Sequence, residues 1–474
     1  MKPAAPVIRA VATTVLLAMM LAAPVLAASD LDWPMFGWDV GRSSAPSGPT
    51  GITAGDLGSL QRQQVRIDGT VDASAIYLHG VSVNGVKHDV FFVTTTYGKT
   101  LAIDADRGTV LWEFTPSSYD SVKESYRITN ATPVADPDRE AIYAAAPDGI
   151  IRKLGVADGR VEWATSITRL PAREKIASPL AFFGGRVIAT TDGYVGDEPP
   201  YQGHVAVLDA GTGALLHVWN ALCSDRRELV DPASCPASDA GIWGRGGAVI
   251  DAKTGNIFVA TGNGPWNGVE HWGDSVIELD AGATHVLGNY TPENTEQLDE
   301  TDQDLGSTSP VLTGGPYVIQ GGKDGLLRVL DWRRMAGATA HRGGESSVVS
   351  TPGSAKLFTA PAVLHLGKSA LIYVADDSGT TAWMLNGDEL RSRWHNDHAG
   401  TSPVVAGGLV YVYDPTGGLR AYDASTGHQL ADLACGGGHW NSPIVVDGRI
   451  ALPEGNANHH LANGVFDIWR SAKR

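Results

Sequence analysis

The stretch LDETDQDLG, beginning at Leu298, sets four carboxylates, Asp299, Glu300, Asp302 and Asp304, within six residues. Acidic groups this close repel unless a cation sits among them, which points to a metal site; a solvated acidic loop would carry the same letters. A second stretch, ATGNGPWNG from Ala260 to Gly268, follows the apolar run NIFV and so stands at the end of a strand. Its Asn263 offers an amide oxygen, a hard donor suited to Ca²⁺. A glycine-rich turn capped by Asn would look alike.

The elements that must position these residues are read from internal repetition. A small residue, Pro and an apolar pair recur in ATPVA (Pro133), ASPLA (Pro179), TSPVL (Pro310), TAPAV (Pro361), TSPVV (Pro403) and NSPIV (Pro443). Most lead into a Gly-containing turn and a second apolar run. Another recurrent unit is an apolar strand ending in Asp, a turn with Gly four residues later, and often Trp, as in VAVLDAGTGALLHVW and LRAYDASTGHQL. Asp caps turn N–H groups and Gly accepts positive φ. Neighbouring Pro units lie roughly 40–50 residues apart, one four-stranded propeller blade each. ASAIYLHG near Ala73 and GGAVIDAKTGNIFV near Gly247 fill two gaps, which gives eight units. The last is short, and the N-terminal LDWPMFGWDVGRSS is expected to supply its missing strand. The expected fold is an all-β, eight-bladed propeller of four-stranded blades, one domain over residues 29–474.

Composition agrees with many short strands: 57 Gly and 26 Pro in 474 residues, with 43% hydrophobic and only 19% charged residues. The formal charge of −16 excludes nucleic acid as a natural partner, because phosphate binding needs clustered Lys and Arg. Lys2 and Arg9, an apolar run from Ala10 to Ala23, and then VLA and LAA read as a signal peptide over 1–28. The mature chain is therefore expected in the periplasm or outside the cell, with no membrane span after cleavage. Disulfides are permitted there. Cys223 and Cys235 bracket the polar loop SDRRELVDPAS and are expected to pair, leaving Cys435 over. Without a C-x-x-C-H run, no covalently attached c-type haem is expected.

The repeats resemble those of the pyrroloquinoline-quinone (PQQ) repeat proteins, a family with eight-bladed quinoprotein alcohol dehydrogenases and also with cofactor-free propellers. ATGNGPWNG looks like the GTGNPAPWN stretch of the dehydrogenases, which implies Asn263 as a calcium ligand. GDEPPYQGHVAVLDAGTG is similar to the segment that carries their calcium-binding Glu and implies Glu198, although Gln202 stands where the family has Arg. DAGIWGRGG implies Trp243 as the ring beneath the quinone. LDETDQDLGSTSPVL keeps the aspartate spacing of the family's D-x-W-D-x-D run, with Thr301 in place of Trp, and implies Asp299 as general base and metal neighbour; Glu300 is the alternative by a slip of register. QGGKDGLLRVLD implies Lys323 over the quinone carbonyls. Each position has a plain alternative: a surface carboxylate, a Trp docking one blade on the next, a solvent-facing Lys.

That resemblance implies PQQ and calcium as cofactors, a small-molecule or polymeric alcohol as substrate and an external electron acceptor. The adjacent Cys pair of many such enzymes is missing, and the layout looks closest to the polyvinyl-alcohol-dehydrogenase-like branch. The competing expectation is a cofactor-free propeller that binds protein partners in the cell envelope. Convergence of Glu198, Asn263 and Asp299 near the ring axis, with Trp243 as a floor, would favour the enzyme.

Overall fold

The structure is a computed structural model that describes residues 31–471, together with Met1. The expected signal peptide, Met1 apart, lies outside the described residues. No helix among the described residues is long and apolar enough to cross a membrane.

Eight four-stranded antiparallel sheets account for nearly all the strands. Blades 1 to 7 follow the chain, starting with the strands Ile76–Val83, Val134–Ala135, Ala181–Phe183, Val249–Ile250, Val311–Leu312, Ala362–Leu366 and Val404–Ala406. Blade 8 starts at Ile444–Val446. Within a blade, burial falls outward: Ala141–Ala145 in blade 2 is buried throughout, whereas its fourth strand, Val161–Ser166, alternates between half-buried and exposed. Inner strands bury both faces and so read as continuous apolar runs; the outer strand has one wet face.

The recurrent Asp…Gly turn and Trp form one device. Trp112 on blade 1, Trp163 on blade 2 and Trp394 on blade 6 each donate the indole N–H to a carbonyl of the next blade, Val156, Ala210 and Ala424, at 2.9–3.0 Å. Each ring lies on the turn glycine of that blade. A Cβ added to Gly159, Gly213 or Gly427 would come within 2.5–2.6 Å of it, and all three have φ near +70°. Gly is therefore required twice over, for the left-handed backbone and for the ring above it. At these three junctions the Trp docks blade on blade.

The ring closes differently from the expectation. The fourth strand of blade 8 is Leu60–Ile67, paired antiparallel with Gly464–Ser471 from Leu60↔Ser471 to Ile67↔Gly464. The segment LDWPMFGWDVGRSS is not a blade strand, because positive φ at Gly37, Trp38 and Arg42 folds it into turns. It runs instead as a strap across one end of the ring. Its backbone carbonyls accept from Tyr77, Ala135, Ile250, Val363 and Val405, and Thr50 accepts from Gly448. These donors belong to blades 1, 2, 4, 6, 7 and 8, so the strap ties the inner edge of the ring together. Cys223 and Cys235 are joined by a disulfide with Cα atoms 6.1 Å apart, and Cys435 is free and half-buried.

Candidate functional site

The residues that enter each blade's first strand meet at the ring axis. Arg245, entering blade 4, donates to the carbonyl of Trp440, entering blade 8, at 3.1 Å. Blades 4 and 8 stand opposite each other in an eight-fold ring, so this bond crosses the axis. Trp243, Phe358 and Trp440 form a row of aromatic rings with centroids 6.1 and 5.8 Å apart. Trp243 is half-buried, one face toward other rings and one edge free, and its ring lies 5.4 Å from the ammonium of Lys323.

Two loops hold the acidic side of this centre. The strand Ile257–Ala260 ends in the loop that carries Asn263, and the short helix Thr295–Glu300 carries Asp299. Asn263 fastens them: its backbone N–H donates to Asp304 Oδ1 at 2.8 Å and its Nδ2 to the Leu298 carbonyl at 2.7 Å. Its Oδ1 is buried and has no hydrogen-bond partner. A buried amide oxygen left unsatisfied is costly, and its lone pairs are free for a ligand. Asp274 is similar: one oxygen accepts from the Leu305 N–H at 2.8 Å while Oδ2 is buried without a partner. Burial, reinforced by Asp304 and Asp299, holds the Asp274 carboxyl well above its usual range.

Asp299 is raised by burial and by the nearby Asp304 and Glu300, with the Gly264 N–H opposing. Lys323 bridges the acidic run, paired with Asp302 at 2.6 Å and with Asp304. Burial lowers the Lys323 ammonium, but those two carboxylates more than restore it. Gly262 makes the packing possible: a Cβ there would lie 2.3 Å from Asp304 Oδ1 and 3.1 Å from Trp243 Nε1.

Asn263, Asp299, Trp243 and Lys323 thus gather around Asp304. Glu198 does not join them. Its carboxylate makes a bidentate pair with Arg173, both contacts at 2.6 Å, and its side chain is 70% exposed. Glu300 heads no contact to the group. Asn263 Oδ1 and the carboxylates around it are hard oxygen donors.

Sequence reasoning passed over a second set on the same axis. Glu174–Lys175 and Asp192–Gly193 form a two-residue ladder with Lys175 opposite Asp192. Arg245 lies over the rings of Phe36 and Trp440, 5.8 and 5.7 Å from their centroids. Asp72 is wholly buried and accepts from His439 Nδ1, the Trp440 N–H and the Ala457 N–H. Burial works to raise Asp72, but His439 and the two N–H groups hold it below the usual carboxylate range. The available signal was position: Lys175 and His439 each stand four residues before the Pro of their blade's repeat.

Comparison with known proteins places this geometry. The family model described as outer membrane protein assembly factor BamB matches residues 55–340 and 367–463. A polyvinylalcohol dehydrogenase of Pseudomonas sp is 23% identical over 445 residues, covering 83% of this chain and 66% of the relative, so the chain spans about two thirds of that protein's length. A quinohemoprotein alcohol dehydrogenase from Comamonas testosteroni superposes with a TM-score of 0.69 at 17% identity, covering 94% of this chain and 82% of that one. A europium-containing methanol dehydrogenase gives a TM-score of 0.69 at 14% identity, covering 94% and 99%. At these identities the structural likeness establishes the fold.

Proposed function

This chain belongs to the PQQ-repeat propeller family, and from that premise we propose that it is an exported quinoprotein dehydrogenase, periplasmic or secreted, that oxidises an alcohol. The carrying observation is the partnerless buried Oδ1 of Asn263 beside Asp299, Asp304, Lys323 and Trp243. The dehydrogenase names of the relatives support the same reading.

In this proposal Asn263 Oδ1 and Asp299 hold a calcium ion, and Trp243 supplies a flat apolar floor for PQQ. When bound, the quinone and its ion supply the two-electron acceptor and the Lewis acid. Asp299 would take the hydroxyl proton of the alcohol at its carboxylate. Helix Thr295–Glu300 and the Gly264 N–H aim that carboxylate. Lys323, fixed by Asp302 and Asp304, presents an ammonium where negative charge develops on the acceptor. Turnover would need an external electron acceptor. Glu198 has no part unless it leaves Arg173.

The test is titration of the purified protein with PQQ and Ca²⁺, read by tryptophan quenching. Saturable, Ca²⁺-dependent binding that Asn263→Ala abolishes supports the dehydrogenase. Absence of binding at high cofactor concentration favours the second reading, a cofactor-free scaffold, which the assembly-factor description of the family model motivates.

A further inference from the structure

Two buried cations at the axis make no close ion pair, although Asp192 faces Lys175 and Asp72 lies near both. Arg245 is 2% exposed and Lys175 8%. Among the described residues neither makes an ion pair within 4 Å, and the Arg245 guanidinium donates to the Trp440 carbonyl at 3.1 Å. Its Nε is buried with no partner at all. The nearest acids do not serve. Asp72 is spent on His439 and two backbone N–H groups. Asp192 stands across the ladder from Lys175 without a hydrogen bond to it. Burial lowers Lys175, with Asp192 and Asp72 opposing, and pushes Arg245 down to about 10, with Asp72 opposing.

Leaving two cations buried and unpaired is expensive, and folds keep such groups where something else completes them. The completing group must be anionic, must reach the axis, and must lie among Trp243, Phe358 and Trp440, which favour a flat partner. Arg245 offers the forked N–H geometry that suits a carboxylate, and Lys175 a point charge. We propose that Lys175 and Arg245 form a carboxylate receptor at the propeller axis, adjoining the Trp243 floor. The receptor stands on this geometry alone. Its identification with a carboxylate of the planar tricarboxylate PQQ rests on the proposed function; a carboxylate on a hydroxy-acid substrate has the same chemistry.

Lys175→Met and Arg245→Met keep bulk and remove charge. Each is expected to fold with a urea midpoint no lower than the native chain's, because an unpaired buried charge is gone. Affinity for PQQ with Ca²⁺, and for malate as a small hydroxy-carboxylate, is read by tryptophan fluorescence. A drop of at least about tenfold for PQQ in either variant assigns the receptor to the cofactor. Unchanged PQQ affinity with loss of malate binding assigns it to substrate. Malate binding that depends on Lys175 and Arg245 in a protein that takes no PQQ keeps the receptor and discards the quinone. Native affinities for both probes in both variants, or no binding of either probe by the native chain, overturns the receptor. Should a variant not fold, the native protein decides through the PQQ trimethyl ester: the ester bound as tightly as the acid overturns it.

Discussion

Glu174, one residue before Lys175, allows the sharpest energetic prediction. Its carboxyl is 1% exposed, accepts from the Thr168 hydroxyl, and accepts weakly from the Gln202 N–H at 3.4 Å. Burial moves it from 4.5 to about 8, with Thr168 and Gln202 opposing. His204, 3.9 Å away, gives no countercharge, since burial pushes it down to about 4. The folded chain therefore keeps a proton that the unfolded chain releases above pH 4.5, and stability falls as pH rises from there through about 8. By linkage the loss is on the order of 3 kcal/mol at pH 7 and on the order of 5 kcal/mol at pH 9. Glu174→Gln mimics the protonated carboxyl and abolishes this slope. Urea unfolding at pH 5, 6, 7 and 8 should show variant and native chain within about 1 kcal/mol at pH 5 and the variant increasingly the more stable above it. A difference that does not change with pH would refute the argument, because Glu174 would then be charged in the fold.

Gly262→Ala should drive Asp304 from under the Asn263 N–H, costing about 1–3 kcal/mol and weakening PQQ binding at least about tenfold; native affinity would mean Asp304 is dispensable. Glu198→Gln should change stability by less than about 1 kcal/mol, as for an exposed pair, and leave the Ca²⁺ dependence of PQQ binding intact. Loss of that dependence would return Glu198 to the metal. Replacing Cys223 and Cys235 with Ser should lower the unfolding free energy by roughly 2–3 kcal/mol, read as a lower urea midpoint; an unchanged midpoint would show that the loop does not depend on the bridge.

The blades were legible because their signal is local. Each Pro unit marks an inner strand, and the turns at Gly159, Gly213 and Gly427 mark the seats of neighbouring Trp rings, so eight units could be counted. The closing strand escaped for the opposite reason. LQRQQVRI is an outermost strand with a wet face, so it lacks the apolar run that marks the others, whereas the aromatic-rich LDWPMFGWDVGRSS invited a strand where its turns forbid one. At the site, Asn263 and the acidic run were visible because a loop and a helix carry them in short stretches. Lys175 and Asp192 were not: a two-residue ladder has no periodicity, and their pairing and burial are set by distant chain. Glu198 matched by local resemblance, but the residue that holds it, Arg173, lies 25 positions away.

The shared blade gives the chain an unusual order of assembly. The strand Leu60–Ile67 precedes seven blades in the chain, yet its partner, Gly464–Ser471, follows them all. Seven blades can form in sequence while the first-made strand waits with one edge unpaired, open to any extended segment that passes. Only the arrival of Gly464–Ser471 shuts the circle, so a chain cut before it would leave that edge exposed. One seam, Leu60–Ile67 against Gly464–Ser471, therefore joins the first and last strands of the described ring.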